Sequence, residues 1–571
     1  MKGSKDEFRW RVRLIAFGFL LFSGVLIARL YSLQIVNAEA FRERADRQYT
    51  NPDQKIFDRG SIYFTTKDGE KFSAAALQTG YTLAINPGLI TDEEGTYDKL
   101  NAIYPLDREI FMKKADKKED PYEEIGKRIT KEAGAELEAL NLPGVRLFTE
   151  RWRTYPGNTL ASHALGFLGY DGDDFGGRYG LERQFEDILG RGTKNVYSNF
   201  FAEVFSNINK KITYSSGGEG DVVSTIEPNV QLLFERELEG VQEKYNAKLT
   251  GGIIINPQNG EIYAMGAVPN FDPNTFQTVD DAAVFTNPNV QNVYEMGSII
   301  KPLTVAAGLD AGVIEPTSTY FDAGSLTLNG RTIYNYDKRA RGEVSMQEVL
   351  NQSLNTGVSY IATKLGNKRF ADYFFALGLD SYSGIDLPHE GRNLAQNLRT
   401  REDVNYATAS FGQGIAVTPV SLVRALSALG NGGELITPHV VKRIEYTSGT
   451  TKTPTYTEKQ RVFSAETSRK ISSMLTTVVD KALLGGEVVI PGYSIAAKTG
   501  TAQIAKPGGG YYDDRYLHSF FGYFPAYDPK FLVFMYTLEP QGEDYASHTL
   551  SYPFHTIAQY LINYYEIPPD R

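Results

Sequence analysis

The order of strand-like and helix-like segments between residues 221 and 571 constrains the fold of this chain most strongly. Strand candidates cluster at the two ends of this region, at residues 221–226, 253–255, 262–265, 493–505, 518–524 and 531–538. Asn259-Gly260 is a typical hairpin turn between two of them. Helix-like segments at residues 228–245 and 553–566 flank the strands, and helical patterns fill the long interval. The pattern therefore predicts an α+β domain with one antiparallel sheet and a helical insertion.

The N-terminus carries an uncharged apolar run behind a basic flank, formed by Lys2, Lys5, Arg9, Arg11 and Arg13. The run at residues 14–28 spans about 22 Å as a helix. Extended to Val36, it is long enough to cross a bilayer, and the basic flank predicts a cytoplasmic N-terminus. A cleavable signal peptide is the alternative, because Ala38-Glu39-Ala40 resembles a cleavage site. Both interpretations place the rest of the chain outside the cytoplasm.

A change of pattern near residue 221 predicts the domain organisation. Before it, short strand-like runs such as residues 80–85 alternate with charged helical stretches at residues 107–140, which is typical of an elongated α+β module. We expect a cytoplasmic tail at 1–13, one transmembrane helix at 14–36, a pedestal domain at 37–220 and a second domain at 221–571. The second domain would then be periplasmic or extracellular, held to the cytoplasmic (inner) membrane by a single pass.

The composition excludes several kinds of chemistry. A net charge of -10 over 571 residues argues against a nucleic-acid surface. The chain has no cysteine, which excludes disulfides, thiol catalysis and cysteine-bound metals. Its six histidines are scattered, without a pair at metal-ligand spacing. We therefore expect no metal and no cofactor.

A Ser-x-x-Lys pattern, Ser298 and Lys301, lies at the predicted start of a helix whose C-terminal stop we place at Gly308 or Gly312. Side chains three residues apart are neighbours on a helix. Taken alone, such a pair is more often an N-cap and a solvated lysine. The sharper hypothesis is a nucleophile with its base. A serine hydroxyl reacts when its proton is removed, and a lysine amine can accept that proton when burial lowers its pKa.

A second pattern, Ser353 and Asn355, falls at a bend between two predicted helices. Ser345 and Glu348 form a capping box that opens the first helix, and Thr356 is a good N-cap for the second, which ends at Gly366. Short polar side chains at such a bend can project into a cleft, although they are more often plain turn formers.

A third pattern, Lys498-Thr499-Gly500-Thr501, lies inside a predicted strand. A glycine within a strand weakens it and often marks the close approach of another backbone. A bulge on an edge strand with an exposed lysine is the structural alternative.

Together the three patterns define the active-site serine penicillin-recognising enzymes. The chain resembles the class B penicillin-binding proteins, which are membrane-anchored peptidoglycan transpeptidases. Further blocks extend the resemblance from about residue 57 to the C-terminus: Arg59-Gly60-Ser61-Ile62, Arg153-Thr154-Tyr155-Pro156, His163 to Gly166, Gly180-Leu181-Glu182, Phe271 to Asn274, Gly412-Gln413-Gly414, Thr418-Pro419 and Asn431-Gly432-Gly433. The resemblance implies the penicillin-binding transpeptidase fold, a five-stranded antiparallel sheet flanked by helices with a helical subdomain, beside a dimerisation-type pedestal.

The resemblance also implies a reaction. Ser298 would attack the carbonyl between the two terminal D-alanines of a peptidoglycan stem peptide, with Lys301 as its base. Ser353 would relay the proton to the leaving D-alanine. The backbone N–H groups of Ser298 and Thr501 would form the oxyanion hole of the tetrahedral intermediate.

The remaining motif residues would bind the substrate. By resemblance, Asn355 holds the substrate's amide and helps to fix the catalytic lysine, and Lys498 adds positive charge beside the relay serine. Thr499 and Thr501 would bind the terminal carboxylate. Gly500 would leave room for a substrate that adds to this strand as a further strand.

Three other functions stay open: a D,D-carboxypeptidase, a non-catalytic cell-wall scaffold and a β-lactamase-like hydrolase. A β-lactamase must activate a deacylating water, which in the best-known class takes a Glu-x-x-x-Asn loop. Neither Glu390 nor Glu402 has an asparagine four residues later. The partners implied by the resemblance are donor and acceptor stem peptides, β-lactam antibiotics and a polytopic membrane glycosyltransferase.

The chain departs from the family pattern at a few positions. Met296 replaces the usual proline before Gly297-Ser298, and Glu227 stands where aspartate is usual. Neither change removes a catalytic group. Glu295 and the threonine of Lys498-Thr499-Gly500 favour a division-type enzyme over an elongation-type one, so we expect a septal role.

Overall fold

The computed structural model describes Phe17, residues 20–24, Leu26 and residues 58–172, 174–191, 218–456 and 460–571. Most of the expected transmembrane segment at 14–36, and the alternative cleavage site at 38–40, lie outside the described residues. Among the helices that the structure does describe, none combines the length and the apolar character that a membrane crossing requires.

The strands from residue 58 onward are β1 Asp58–Arg59, β2 Ile62–Thr65, β3 Lys71–Ile85, β4 Glu123–Ile129, β5 Val145–Thr154, β6 Leu168–Asp171, β7 Asp174–Gly177, β8 Gly190–Arg191, β9 Gly220–Ser224, β10 Leu249–Ile255, β11 Ile262–Val268, β12 Thr319–Asp322, β13 Ser325–Leu328, β14 Arg331–Tyr334, β15 Gly342–Ser345, β16 Glu434–Leu435, β17 Val441–Tyr446, β18 Thr451–Lys452, β19 Gln460–Arg461, β20 Ala496–Ala505, β21 Tyr511–Phe524 and β22 Phe531–Leu538.

The α-helices over the same residues are α1 Glu93–Asn101, α2 Arg108–Ala115, α3 Lys131–Ala139, α4 Ser162–Leu165, α5 Gly180–Gln184, α6 Glu186–Leu189, α7 Pro228–Lys244, α8 Pro288–Gln291, α9 Lys301–Asp310, α10 Met346–Asn351, α11 Asn355–Leu365, α12 Asn367–Ala376, α13 Asp403–Ala409, α14 Pro419–Gly430, α15 Ala465–Thr477 and α16 Ala546–Tyr564.

Residues 78–152 form one compact unit, and residues 58–77 and 153–571 form another. In the smaller unit β3 pairs with β4 and β5, and helices α1, α2 and α3 accompany them. Each helix opens on a side-chain cap, because Asp92, Asp107 and Thr130 accept hydrogen bonds from backbone N–H groups of the first turn. Its core contains Leu83, Leu100, Phe111, Ile129 and Leu137.

The larger unit contains an antiparallel five-stranded sheet in the order β11-β10-β22-β21-β20. The pattern predicted an antiparallel sheet here, and the family resemblance implied its five strands. The alternation of side chains along the strands divides the core into two layers. Ile254 and Phe520 pack with α7 and α16 on one face. Their neighbours Ile253 and Phe521 face the opposite core, which includes residues of α9, α14 and α15. The sheet is therefore buried on both sides, and β20 lies at its edge.

Three predictions about elements need correction. The strand at 221–226 does not join this sheet, because β9 pairs antiparallel with β17 and parallel with β2. Helix α16 begins at Ala546 rather than at 553, and Pro553 lies inside it. Gly308 lies inside α9 rather than ending it, and a side chain there would meet Ile361 Cγ2 of α11 at 2.7 Å.

A buried ionic cluster connects segments of the larger unit that are far apart in sequence. Glu182 is 0% exposed, and its carboxylate accepts hydrogen bonds from Arg59 Nε at 2.8 Å and Arg153 Nε at 2.6 Å. Tyr155 donates its hydroxyl to the same carboxylate at 3.1 Å. Arg59 also pairs with Glu186 at 2.8 Å. Despite burial, the two arginines hold the pKa of Glu182 below its usual value.

We predict that Glu182→Gln lowers the free energy of unfolding by about 3 to 5 kcal/mol, because it leaves the buried Arg59 and Arg153 without their shared carboxylate. Urea denaturation of the full chain, followed by tryptophan fluorescence, measures the loss. Asp372→Asn is the control, since it removes an exposed ion pair with Lys368 and should cost at most about 0.5 kcal/mol. Equal denaturation midpoints for the two variants would contradict the assignment.

Candidate active site

Ser298 lies on a tight turn that precedes α9. The turn Gly297–Ile300 is a 3₁₀-helix, and α9 continues it from Lys301. Gly297 adopts a φ of 65°, which favours glycine, and its N–H donates to Gly412 O at 3.3 Å. Among the residues described, none forms a hydrogen bond with Ser298 Oγ. The hydroxyl is half-buried and available to a ligand.

Lys301 is buried one turn later and reaches the second motif. Lys301 is 1% exposed. Its Nζ donates hydrogen bonds to the backbone oxygen of Ser353 and, at 3.1 Å, to Ser353 Oγ. Burial and, secondarily, the nearby Lys498 bring the pKa of Lys301 well below the usual lysine value. No carboxylate of the described part of the chain forms an ion pair with it. The Lys301 amine is therefore poised to be neutral and to accept a proton.

Ser353 occupies the bend between α10 and α11 with a φ of 53°. This left-handed conformation is strained for a residue with a side chain and costs about 1 kcal/mol or more. The predicted capping box forms only in part: Ser345 accepts a hydrogen bond from Glu348 N, whereas the Glu348 carboxylate accepts from Asn351 and Gln352. Helix α11, however, begins at Asn355 rather than after Thr356. The Thr356 hydroxyl is instead buried against Asp322.

Asn355 does not hold the lysine, contrary to what the sequence led us to expect. Its Nδ2 donates to the backbone oxygen of Tyr334 at 2.8 Å, at the end of strand β14. Of the described residues, Ser353 alone accepts hydrogen bonds from Lys301 Nζ, with its backbone oxygen and its hydroxyl.

The third motif lies on the edge strand β20. Lys498 is 4% exposed and donates to Thr499 O at 3.1 Å, and burial lowers its pKa to about 8. Thr499 and Thr501 are partly exposed on the face opposite Gly500. Thr501 Oγ1 accepts a hydrogen bond from the Ala546 N–H, which opens α16, at 3.2 Å. No strand among the described residues pairs with the outer edge of β20.

The reason for Gly500 differs from the predicted one. A Cβ on Gly500 would point away from the two threonines and meet Ser519 Oγ at 2.5 Å, Met296 O at 2.9 Å and Ile299 N at 3.0 Å. The glycine therefore allows the turn that carries Ser298 to pack directly on the strand.

Sequence analysis missed two side chains that hold this packing. Ser519 on β21 lies opposite Gly500, and its hydroxyl is within 2.9 Å of Met296 O. Tyr511, at the start of the same strand, donates its hydroxyl to Glu295 at 2.9 Å. No local pattern marks either residue, because their role follows from the pairing register of β20 and β21. The described residues contain no group of three or more His, Cys, Asp or Glu that could hold a metal ion.

Comparisons with known families and structures identify the fold. The family model of the penicillin binding protein transpeptidase domain matches residues 250–558, and that of the penicillin-binding protein dimerisation domain matches residues 58–220. Penicillin Binding Protein 2X from Streptococcus thermophilus is 20% identical with a TM-score of 0.73, covering 89% of this chain and 80% of its own. Penicillin binding protein 3 from Mycobacterium tuberculosis, solved in complex with aztreonam, is 21% identical with a TM-score of 0.68. The match covers 90% of this chain and 98% of that protein's chain.

Curated relatives extend over most of the chain. The stage V sporulation protein D of Bacillus subtilis is 31% identical over 548 residues, which cover 94% of this chain and 83% of the relative. The peptidoglycan D,D-transpeptidase FtsI of Escherichia coli K12 is 26% identical over 571 aligned residues, which cover 98% and 93%.

We predict that Gly500→Ala slows the acylation of Ser298 by a fluorescent penicillin about 100-fold. The added methyl group must displace Met296 or Ser519, and misplacing a reacting group by about 1 Å has an effect of this size. Gly240→Ala is the matched control, because no atom lies within 4 Å of the added Cβ. Acylation of the Gly500 variant at the rate of the control would contradict the packing argument.

Proposed function

The chain belongs to the class B penicillin-binding proteins, and on this premise we propose that it is a septal peptidoglycan D,D-transpeptidase acting through an acyl-enzyme on Ser298. The names of its relatives support the reaction, since FtsI is a peptidoglycan D,D-transpeptidase. The family model over residues 250–558 supports the same class of enzyme. The substrate is the D-Ala-D-Ala end of a stem peptide, and the acceptor is an amine of a neighbouring stem peptide.

The observation that carries the proposal is the buried Lys301, three residues after Ser298, which forms no ion pair with any described residue. The free amine of Lys301 takes the proton of Ser298 as Oγ attacks the carbonyl carbon of the penultimate D-alanine. The negative charge on the carbonyl oxygen is stabilised by the N–H groups of Ser298 and Thr501. Cleavage of the C–N bond then releases D-alanine, whose amine receives its proton through Ser353. The hydrogen bond from Lys301 to Ser353 supports this relay.

Strand β20 and the start of α11 bind the substrate in this proposal. The substrate adds to the open edge of β20 as an antiparallel strand, and its terminal carboxylate binds Thr499 and Thr501 beside the Lys498 cation. Asn355 holds the peptide amide from the opposite side of the cleft. β-lactams occupy the same positions; aztreonam and ampicillin are bound in structures of a relative.

Transfer to an amine rather than hydrolysis is supported by the surroundings of the two carboxylates considered from the sequence. Glu390, one of the two candidates, accepts the backbone N–H groups of Ser383 and Gly384. Glu402 is exposed at the start of α13. A well-placed acceptor amine then reacts at high effective molarity. The anchor at 14–36 would hold the domain at 221–571 on the outer side of the membrane, beside a polytopic glycosyltransferase that supplies the strands.

The reaction products test the proposal directly. Supplied with glycan strands bearing stem peptides, the enzyme should convert them mainly into cross-linked dimers, which mass spectrometry of the digested glycan distinguishes from trimmed monomers. Ser298→Ala should form neither product and no penicillin adduct. Trimmed monomers without dimers would identify a carboxypeptidase. Rapid release of hydrolysed penicillin would identify a β-lactamase, and no reaction with intact Ser298 would identify a scaffold.

We predict a bell-shaped pH profile for acylation by penicillin. The rate rises with pH as Lys301 loses its proton, at a pH below the usual lysine range because burial lowers its pKa. It falls again above about pH 8, where Lys498 loses its charge. Lys498→Arg keeps that charge and should remove the alkaline fall, whereas Lys301→Arg cannot act as a base and should abolish acylation throughout. An unchanged alkaline fall in Lys498→Arg would contradict the assignment of Lys498.

A further inference from the structure

A fully buried carboxylate lies behind the Ser353–Asn355 motif. Asp322 ends β12 and is 0% exposed. Its oxygens accept hydrogen bonds from Gly324 N at 2.9 Å, Arg341 N at 3.1 Å, Asn335 Nδ2 at 3.0 Å and Thr356 Oγ1 at 2.8 Å. Among the described ion pairs none includes Asp322. A buried charge without a counter-ion is expensive unless it is fully hydrogen-bonded. These hydrogen bonds therefore hold the four donor groups in defined positions around the carboxylate.

From Asp322 the hydrogen bonds lead to the amide of Asn355. Asn335 is 1% exposed, and while its nitrogen donates to Asp322 its oxygen accepts the Thr356 N–H at 3.2 Å. The residue before it, Tyr334, presents its backbone oxygen to Asn355 Nδ2 at 2.8 Å. Asp322 thus holds both neighbours of that contact, Asn335 beside the carbonyl and Thr356 beside the amide.

The Tyr334 carbonyl determines the orientation of the Asn355 amide. An asparagine amide has two donor hydrogens on one end and an acceptor oxygen on the other. A carbonyl can only accept, so it turns the nitrogen of Asn355 toward itself. The second N–H and the oxygen are left for a ligand. If Tyr334 moved, the amide would be free to turn over and would present the wrong group to the substrate.

The same carboxylate also fixes the other flank of the motif. The Arg341 N–H donates to Asp322, and the Arg341 Nε donates to Gln352 Oε1 at 3.1 Å. Gln352 immediately precedes Ser353. The hydrogen bonds of Asp322 therefore reach both sides of the bend that carries Ser353 and Asn355.

We propose that Asp322 is a positioning residue that sets the orientation of the Asn355 amide and thereby the recognition of the amide group of the substrate. The proposal rests on the function proposed above, in which Asn355 binds that amide. In this proposal Asn355 contacts the substrate amide, and the buried hydrogen bonds of Asp322 determine how Asn355 is oriented.

Asp322→Asn tests the assignment, because its amide nitrogen would face the donor groups of Asn335 and Arg341. Acylation of the full-length variant is measured by mass spectrometry with two probes, benzylpenicillin and 6-aminopenicillanic acid, which lacks the acylamino group. We expect benzylpenicillin to react about tenfold more slowly with the variant than with the wild type, because a loss of this size corresponds to one well-oriented hydrogen bond. The rate with 6-aminopenicillanic acid should change less than about twofold. The ratio of the two rates does not depend on the fraction of folded protein.

Two further variants separate positioning from folding. Asn355→Ala should give the same selective loss, and combining it with Asp322→Asn should add nothing, because both act through one contact. Thr356→Val keeps the side-chain shape but removes the hydroxyl that contacts Asp322, Asn335 and Tyr320. It should lower the benzylpenicillin rate selectively by about threefold. Asp372→Asn makes the same chemical change on an exposed helix and should leave both rates unchanged.

Other outcomes overturn the inference. Equal slowing with both probes would assign Asp322 a general structural role, and additive losses in the double variant would separate it from Asn355. Unchanged rates in both Asp322→Asn and Thr356→Val would remove its role altogether. The proposed function fails separately, if the wild-type Ser298 forms no adduct with either probe.

Discussion

The direct packing of the Gly297–Ile300 turn against strand β20 is the contact on which the site depends. A Cβ at Gly500 would meet backbone atoms of this turn within about 3 Å, and a Cβ at Gly412 would meet Gly297 O at 2.3 Å. The contacting atoms of the turn are backbone atoms, and the Ser519 hydroxyl fills the remaining space beside Gly500 while it donates to Met296 O. The distance between the Ser298 N–H and strand β20 is consequently set by the chain itself, as the proposed oxyanion hole of Ser298 and Thr501 requires.

The proposed reaction also requires an uncharged lysine amine, and burial of Lys301 favours that form. An ammonium group in this position would lack a counter-ion, whereas the neutral amine needs partners for only a few hydrogen bonds. Ser353 supplies them with its backbone oxygen and its hydroxyl, both aimed at Lys301. The left-handed conformation of Ser353 is what turns both oxygens toward the same amine. Ser353 thus links the helical subdomain to the lysine on α9 through two hydrogen bonds.

The features that follow from local patterns could be read from the sequence. The five strands and the Ser345 N-cap are of this kind, and the motif residues do meet, with Lys301 on Ser353 and the Ser298 turn on Gly500. Features set by long-range pairing could not be read. The partners of β9 lie in β2 and β17, and Ser519 acquires its role from its register opposite Gly500. Pro553 resembles a helix start, yet the helix runs through it from Ala546 because burial outweighs the local preference. Asn355 contacts Tyr334 because a hairpin of the subdomain brings that carbonyl near, which no spacing indicates.

The position of β20 at the edge of its sheet carries a risk of its own. A strand edge that is open to a guest peptide is also open to the strand of another copy, which is how sheet proteins aggregate. The turn that carries Ser298 lies against the same strand, with Thr501 O and Ala502 N at 3.2 and 3.3 Å from the Cβ position of Gly297. Among the described residues this contact leaves the outer edge of β20 unpaired. The edge that would receive a stem peptide is therefore also the place where the folded protein is exposed to pairing with a second copy of itself.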